Sequence, residues 1–508
     1  LNKIEKSTVI ATRQNNHQDR LLLWLHFILI ILIYAATGYY SQGFDDEYFN
    51  LMVVEKFGTD IAGFTQTTDV HPPLSYLLNA WLIKLLGSWE WVRLISGLLT
   101  ASAIVATIAR LGSNKNIRYS LILIYLLAFN PALLLWGTSL RWYGYFFPIL
   151  IWLLVVPQNK NWIWPKLFIS FLILGHIGYI SFFIFPAMFL YYWLSDERDA
   201  KEKSKSILLP ALVSLLLYSP QLSVFFKVHY PRSGGQVFSI TSGLIGIFST
   251  HFSNQGVFPL SVPGIISAIG TAIMLVLIVI DFKSEWAKPF GLPFTSGLFI
   301  LLVARIAGKM RNLSVMLPLQ AKGFADKINI ASSRWTWIAM GMIGFGNLVG
   351  TYNVITHEDT TKNSWNIPIT TLKSFVENEL RSEKSTTLIY SHDPMITWHF
   401  EQMGYPVRSP YAHQKVNVEG KKFKYAVVIW TNPGYLPKQR MDLYRFEISL
   451  MKKSSEKTFV LGTDKYASLK RRKDPNYPDE LIKLNVISDP EQLAISSTWS
   501  PFFITRFK

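Results

Sequence analysis

Three consecutive carboxylates, Asp45, Asp46 and Glu47, follow directly on an apolar run from Leu21 to Tyr40. That run is long enough to cross a bilayer, which takes about 20 residues. Acids placed there sit half in water and half in low dielectric, where desolvation and a neighbouring carboxylate both favour the protonated form. A carboxylate tuned in this way suits general-base work near neutral pH. The plainer reading is that the three acids mark the non-cytoplasmic end of a membrane span. Further on, His71-Pro72-Pro73-Leu74 opens a second apolar segment, and the paired prolines fix where a helix begins.

The elements that must position these groups are membrane helices. Of 508 residues, 50% are hydrophobic and only 16% are charged, far more apolar than a soluble chain of this size. The apolar residues come in long blocks rather than at helical period, so the helices are apolar all round. The formal charge of +17 raises nucleic acid as a partner, but the basic residues flank the hydrophobic blocks instead of forming one soluble stripe. That distribution points to anionic lipid headgroups and away from nucleic acid. The chain has no cysteine, which excludes disulfides and thiolate chemistry and fits a bacterial envelope protein.

Residues 1–20 are polar and read as a cytoplasmic tail. The run that follows lacks a small-residue cleavage site and reads as a retained anchor. Segment 41–70 carries Asp45, Asp46, Glu47, Glu55, Asp60 and Asp69 against the single Lys56, so by the positive-inside rule it is an external loop. The stretch Leu74 to Leu86 is too short to span and holds Asn79 and Lys84, as a helix at the outer face would. Further apolar blocks fall near 91–109, 117–136, 142–156, 162–177, 180–194, 207–226, 262–280, 291–304 and 335–352. Segments 110–118 and 159–166 are net basic and read as cytoplasmic, and 227–260 as a longer external loop. With a weakly apolar span near 311–328 the count is about 11, which leaves the C-terminus outside. Residues 21–355 thus form a transmembrane domain with an external loop at 41–90. From 356 to 508 the composition turns charged and alternating. There Thr386–Tyr390 and Tyr425–Trp430 read as buried strands, and Pro394–Met403 and Pro437–Lys453 as helices, the pattern of a small α/β domain. No glycine-rich phosphate loop opens either helix, which argues against nucleotide binding. The fold class expected is mainly α, a polytopic helical bundle with a small extracytoplasmic α/β domain.

Four motifs in order resemble the polytopic GT-C type glycosyltransferases that use polyprenyl-phosphate sugars. That group holds the protein O-mannosyltransferases and the lipid A aminoarabinose transferases. The motifs are Asp46-Glu47, His71-Pro72-Pro73-Leu74, Gly87 to Arg93-Leu94, and Asn130-Pro131 followed by Arg141-Trp142-Tyr143. Arg311 to Pro318 is similar to a late arginine-containing helix of that group, with Asn312 where tyrosine is usual. The resemblance covers the membrane domain and not residues 356–508. It implies transfer of a sugar from a polyprenyl-phosphate donor to a glycan, lipid or protein acceptor, on the outer side of the inner (plasma) membrane.

By that match Asp46 is the candidate base for the acceptor hydroxyl. Glu47 orients the acceptor, and Asp45 is an extra acid beside the pair. A single base argues for an inverting displacement, because a retaining one needs a second carboxylate at about 5 Å. Arg141 is the first candidate for the leaving phosphate. A charge in mid-bilayer costs about 2.5–3.5 kcal/mol, so its expected place is the outer end of its helix, facing protein. The alternative is an arginine reaching to the interface. Arg311 is the second phosphate candidate, and His71 a third. Tyr143, His176 and Arg93 are candidate substrate-binding groups, with Arg93 expected to brace the external loop. His176 alternatively packs as an ordinary buried histidine. No cofactor is expected. A divalent cation at Asp45-Asp46-Glu47 is the less favoured alternative, because adjacent acids on an extended loop alternate sides and no His/Asp cluster completes a shell. The rival classes are a lipid or glycolipid transporter or flippase, and a non-catalytic envelope assembly scaffold.

Overall fold

The computed structural model describes residues 2–40, 45–60, 72–113, 115–155, 163–195, 199–224, 262–281, 288–303, 314–330, 333–356, 369–379, 384–391, 394–408, 425–431, 455–461, 491–492 and 502–507. The described chain is mostly helical, with one six-stranded sheet. It divides into two compact units. One holds Leu1–Ser41 with Ile61–Thr361, and the other Gln42–Asp60 with Lys362–Lys508.

The first unit is a helical bundle. Its helices are α1 (Asn2–Tyr40), α3 (Leu74–Leu86), α4 (Trp89–Gly112), α5 (Ile117–Leu123), α6 (Pro131–Gly137), α7 (Tyr143–Leu153), α8 (Ile163–Ile177) and α9 (Ser181–Ser195). After these come α10 (Ala200–Lys203), α11 (Leu209–Val224), α12 (Val262–Ile280), α13 (Lys288–Val303), α14 (Leu317–Ile330) and α15 (Arg334–Thr356). Among the described residues, four helical stretches are long and apolar enough to cross a membrane: Gln18–Tyr40, α4, α12 and α15. There are five if the bent α5–α6 pair counts as one. Along α1, Phe27, Ile30, Tyr34 and Thr37 face inward at helical spacing, while Leu21, Trp24, Leu25, Ile28 and Leu32 are exposed. Apolar residues on both sides are what a helix between protein and lipid requires.

Small residues let these helices touch backbone to backbone, as helix pairs in lipid do. A Cβ added at Gly97 would lie 2.5 Å from the Tyr34 carbonyl oxygen, and one at Gly38 would lie 2.6 Å from that of Arg93. The α12–α15 pair repeats the device, with Gly270 under the Ala339 carbonyl and Gly346 against Ser267.

One expected span is broken. α5 runs into a π-helical turn, Ile124–Ala128, and α6 leaves it at 58°. Pro131 cannot donate to the preceding turn, and it starts α6 at the position where its missing N–H costs least. The Asn130 side chain accepts from the N–H groups of Ala132 (3.0 Å) and Leu133 (3.1 Å). Carbonyls around the break are met by side chains. Tyr34 donates to Ala128, Asn347 to Tyr125 and Thr351 to Phe129, at 3.2, 3.0 and 2.8 Å. Backbone freed within an apolar bundle has to be satisfied in this way. The weakly apolar α14 is accommodated similarly. Lys322 pairs with Asp326, which accepts from the Tyr119 hydroxyl at 3.0 Å, and Lys327 pairs with Asp281.

The second unit holds α2 (Asp45–Phe57), α16 (Ile369–Ser374), α17 (Pro394–Gln402) and strands β1 (Thr387–Ser391), β2 (Val407–Arg408), β3 (Tyr425–Thr431), β4 (Ser455–Leu461), β5 (Glu491–Gln492) and β6 (Phe502–Phe507). The sheet order is β2-β1-β3-β6-β4-β5. β1 runs parallel to β2 and β3, whereas β6 runs antiparallel to β3 and β4. α17 links the parallel strands β1 and β2, and proline opens it as expected.

Two expectations change. The polar tail 1–20 is continuous with the first apolar run in one helix, α1. Within the segment read as an external loop, residues 45–57 form helix α2 and group with the second unit. The reason is that Tyr48, Leu51, Met52 and Val54 are apolar at helical spacing, and α17 offers them a partner surface. Tyr48 packs its ring against Trp398 (5.4 Å) and His399 (5.1 Å), Thr397 meets Met52, and Gln402 donates to Glu55. By contrast, α3 begins and ends where the prolines and Gly87 place it, Gly87 closing it in the left-handed region. The loop 227–260 and the helix 437–453 lie outside the described residues.

The α2–α17 contact carries a pH dependence. Burial lowers the His399 imidazole from its ordinary 6.5 to about 4, and Nε2 lies 3.3 Å from the Tyr48 hydroxyl. As pH falls from about 6.5 to about 4, the unfolded chain takes up a proton that the folded one does not. The contribution to stability is therefore complete above the ordinary value and is lost as pH drops through the lowered one. In His399→Phe the ring contacts remain and the titration goes. Its thermal midpoint, followed by tryptophan fluorescence of the full chain, is expected to fall by several degrees less than that of the wild type across that window. Parallel curves would remove His399 as the cause.

Candidate functional site

At one end of the first unit, three helices converge on the connection between α6 and α7, residues 138–142. The connection is held by side chains as well as by its own turns. From α4, Arg93 Nε donates to the Thr138 carbonyl at 3.3 Å, and from α3, Asn79 Nδ2 donates to the Leu140 carbonyl at 2.5 Å. The other end of the Asn79 amide accepts from the Tyr145 hydroxyl at 2.6 Å. The Thr138 and Ser139 hydroxyls donate back to Leu134 and Trp136, closing the end of α6. Close backbone approach tightens the same region. A Cβ at Gly178 would lie 2.7 Å from the Trp142 ring, and one at Gly137 would lie 2.7 Å from Thr100.

Arg141 lies within this connection, only 3% exposed, and Arg93 is 1% exposed. Both guanidiniums are buried at the same end of an apolar bundle. Arg93 also lies over the Trp89 ring, 5.6 Å from its centroid. Trp142 stacks on Tyr143 at 3.7 Å, and Tyr143 in turn meets Trp136 at 5.0 Å and Phe147 at 6.1 Å. An arrangement of buried guanidiniums, a primary amide, phenols and indoles can hold an anionic group such as a phosphate. The surrounding aromatic surface suits a sugar ring or an isoprenoid chain.

Of the residues singled out in the sequence, Arg93, Arg141 and Tyr143 come together here. The described contact of Arg93 braces the 138–142 connection. Tyr143 is 1% exposed and stacked between indoles, which is the position of a packing residue. His176, half-buried near the end of α8, stands two residues before Gly178, the residue that abuts Trp142. Asp45 and Asp46 occupy the first turn of α2, and their side chains lie outside those described. Glu47 is fully buried in α2, in the second unit. His71 and Arg311 lie outside the described residues. The three adjacent acids therefore lie on the first turn of a helix, and not along an extended strand. A helix N-terminus carries partial positive charge that favours anions. Among the described residues, no three His, Cys, Asp or Glu side chains stand together as a metal site.

Asn79 and Tyr145 are the residues that sequence reasoning did not place in the site. A signal for Asn79 was present. A lone amide in the apolar run LSYLLNAWLIKLL is costly unless another polar group meets it.

Comparison with protein-family models gives no match to this chain, and comparison with curated proteins gives none.

Proposed function

We propose that the chain is an integral membrane glycosyltransferase that moves a sugar from a polyprenyl-phosphate donor to an acceptor hydroxyl. The observation that carries this reading is Arg141, an arginine 3% exposed in the α6–α7 connection, which Arg93 braces through the Thr138 carbonyl. An ionisable group in such a place is by default a functional one. The four-motif resemblance supplies the reaction class.

In the proposed step the acceptor oxygen attacks the anomeric carbon as the bond from that carbon to the phosphate oxygen breaks, with inversion. As the resemblance implies, Asp46 takes the hydroxyl proton and Glu47 orients the acceptor, with Asp45 the extra acid beside the pair. Polyprenyl phosphate departs as an anion held by Arg141, with Arg311 and His71 as further candidates. Tyr143, His176 and Arg93 are further candidate substrate-binding groups. No cofactor is assigned, and a divalent cation at Asp45-Asp46-Glu47 is the less favoured alternative. The bundle carries about 11 spans in the inner membrane, with the N-terminus inside and the site and residues 356–508 on the extracytoplasmic face. The acceptor is a glycan, a lipid or a protein.

The decisive experiment is incubation of the purified chain with a panel of polyprenyl-phosphate sugars and mass analysis of the lipid products. Release of free polyprenyl phosphate with one sugar supports transfer. Lipid-linked sugar that crosses a vesicle membrane unchanged supports a second reading, translocation, which the 58° break between α5 and α6 favours because transporters use broken helices. The side chains that satisfy that break, Tyr34, Asn347 and Thr351, weigh toward a fixed structural bend.

A further inference from the structure

At the opposite end of the same bundle, a cavity of about 390 Å³ opens between α4, α7 and α8. Ala106, Ala109, Trp152 and Val155 form its apolar wall, and Arg110, Lys166 and Ser113 form its polar rim. That this is the end away from Arg93 and Arg141 follows from the hydrogen bonds. Thr107 meets the Ile151 carbonyl there, whereas Arg93 and Asn79 meet the 138–142 connection at the other end.

The three parts of this cavity fit one kind of ligand. Two alanines on successive positions of the α4 surface leave a groove beside the exposed Trp152 ring, 41% accessible, and Ala106 and Ala109 are themselves exposed. Such a groove, open to the outside of an apolar bundle, suits a hydrocarbon chain. The two cations stand where the helices end, within the net-basic segments 110–118 and 159–166 that the charge pattern assigns to the cytoplasmic face. The Ser113 hydroxyl donates to the Arg110 carbonyl at 3.0 Å, covering one of the carbonyls at the end of α4 that would repel an anion.

We propose that this cavity is a binding site for one anionic phospholipid of the inner leaflet. Arg110 and Lys166 hold the phosphate, Ser113 the glycerol backbone, and an acyl chain lies along Ala106, Ala109 and Trp152. Basic pockets between membrane helices on the cytoplasmic side take acidic headgroups for this reason. The inference rests on the membrane placement of the bundle and is independent of sugar transfer.

The test is native mass spectrometry of the full chain in detergent, titrated with phosphatidylglycerol or with phosphatidylcholine of the same acyl chains. The wild type is expected to retain one phosphatidylglycerol at concentrations where phosphatidylcholine is lost. Each basic group beside an anionic headgroup is worth about fivefold in affinity, so the Arg110→Gln, Lys166→Gln double variant should bind about thirtyfold more weakly. Ala106→Phe fills the groove without altering charge and should lose the lipid as well, which a general surface-charge effect would not produce. Lys84→Gln, a charge change at the far end, should leave retention unchanged. Equal retention by the double variant, retention by Ala106→Phe, or equal binding of the two lipids would each overturn the site. So would displacement of phosphatidylglycerol by inorganic phosphate, which would make it a free-anion site. The readout contains no glycosyl transfer, so an enzyme inactive on every donor leaves the lipid test intact.

Discussion

Asp46→Asn is expected to lower sugar transfer by about 10²–10⁴-fold while leaving donor binding nearly unchanged. The substitution keeps the shape of the side chain and much of its hydrogen bonding, but an amide cannot take the acceptor proton. A base acts on the acceptor, so affinity for the polyprenyl-phosphate sugar is the control that separates lost chemistry from a damaged fold. The position of Asp46 in the first turn of α2 sharpens the comparison with its neighbours. Successive residues on a helix turn by about 100°, so positions 45, 46 and 47 are spread around the helix and one base position does not serve all three. Glu47 is fully buried in α2, and Glu47→Gln is expected to show an intermediate loss of transfer together with lower stability. Asp45→Asn is expected to be mild. If Asp45→Asn is the inactive variant, the base lies one residue earlier and the mechanism stands. Wild-type transfer in all three variants would make the acids topology markers and end the enzyme reading.

Much of the helical layout was legible because proline, glycine and apolar block length act locally. Pro72-Pro73 and Gly87 set the ends of α3, and Pro394 the start of α17. The strands at 387–391 and 425–431 were legible as short β-branched runs, and they pair in parallel as neighbours. What the sequence hid depends on partners distant in the chain. The segment 45–57 is acidic enough to read as solvated loop, and its helix is held by α17, some 350 residues away. The break at Asn130-Pro131 lies inside a run apolar enough to read as one straight span. Its geometry depends on Asn347 and Thr351, whose side chains reach it from α15. β4 was missed because Ser455-Glu456-Lys457 looks like surface, although Phe502–Phe507 supplies the antiparallel partner that makes it a strand.

The candidate site follows the same division. Arg141 was legible as a charge that an apolar helix cannot carry into lipid, and its burial in the α6–α7 connection satisfies that constraint. Asn79 and Tyr145 were not, because each is unremarkable alone and becomes significant only when the amide joins the hydroxyl to the Leu140 carbonyl. Together with Arg93 they hold the 138–142 backbone at Thr138 and Leu140.

Arg141→Ala is expected to slow sugar transfer by about 10²–10³-fold, the loss typical of removing one group that stabilises developing charge. The donor is a phosphodiester with a single negative charge. As the bond to the anomeric carbon breaks, the departing phosphate gains a second charge, so a guanidinium held against it binds the transition state more strongly than the ground state. The loss should therefore fall mainly on kcat, with KM for the donor changing less. Arg141→Lys retains the charge without the planar fork and should recover part of the rate, which separates a phosphate contact from simple packing. Because Arg93 and Asn79 brace Thr138 and Leu140 directly, both variants should keep the helical content and the thermal midpoint of the wild type to within a few degrees. Arg93→Lys supplies the contrast. It acts through the position of the connection, so its cost should appear in stability and KM together, and a lysine at 141 should not relieve it. Near-normal turnover in a folded Arg141→Ala would take Arg141 out of the site and leave Arg311 as the cation for the leaving phosphate.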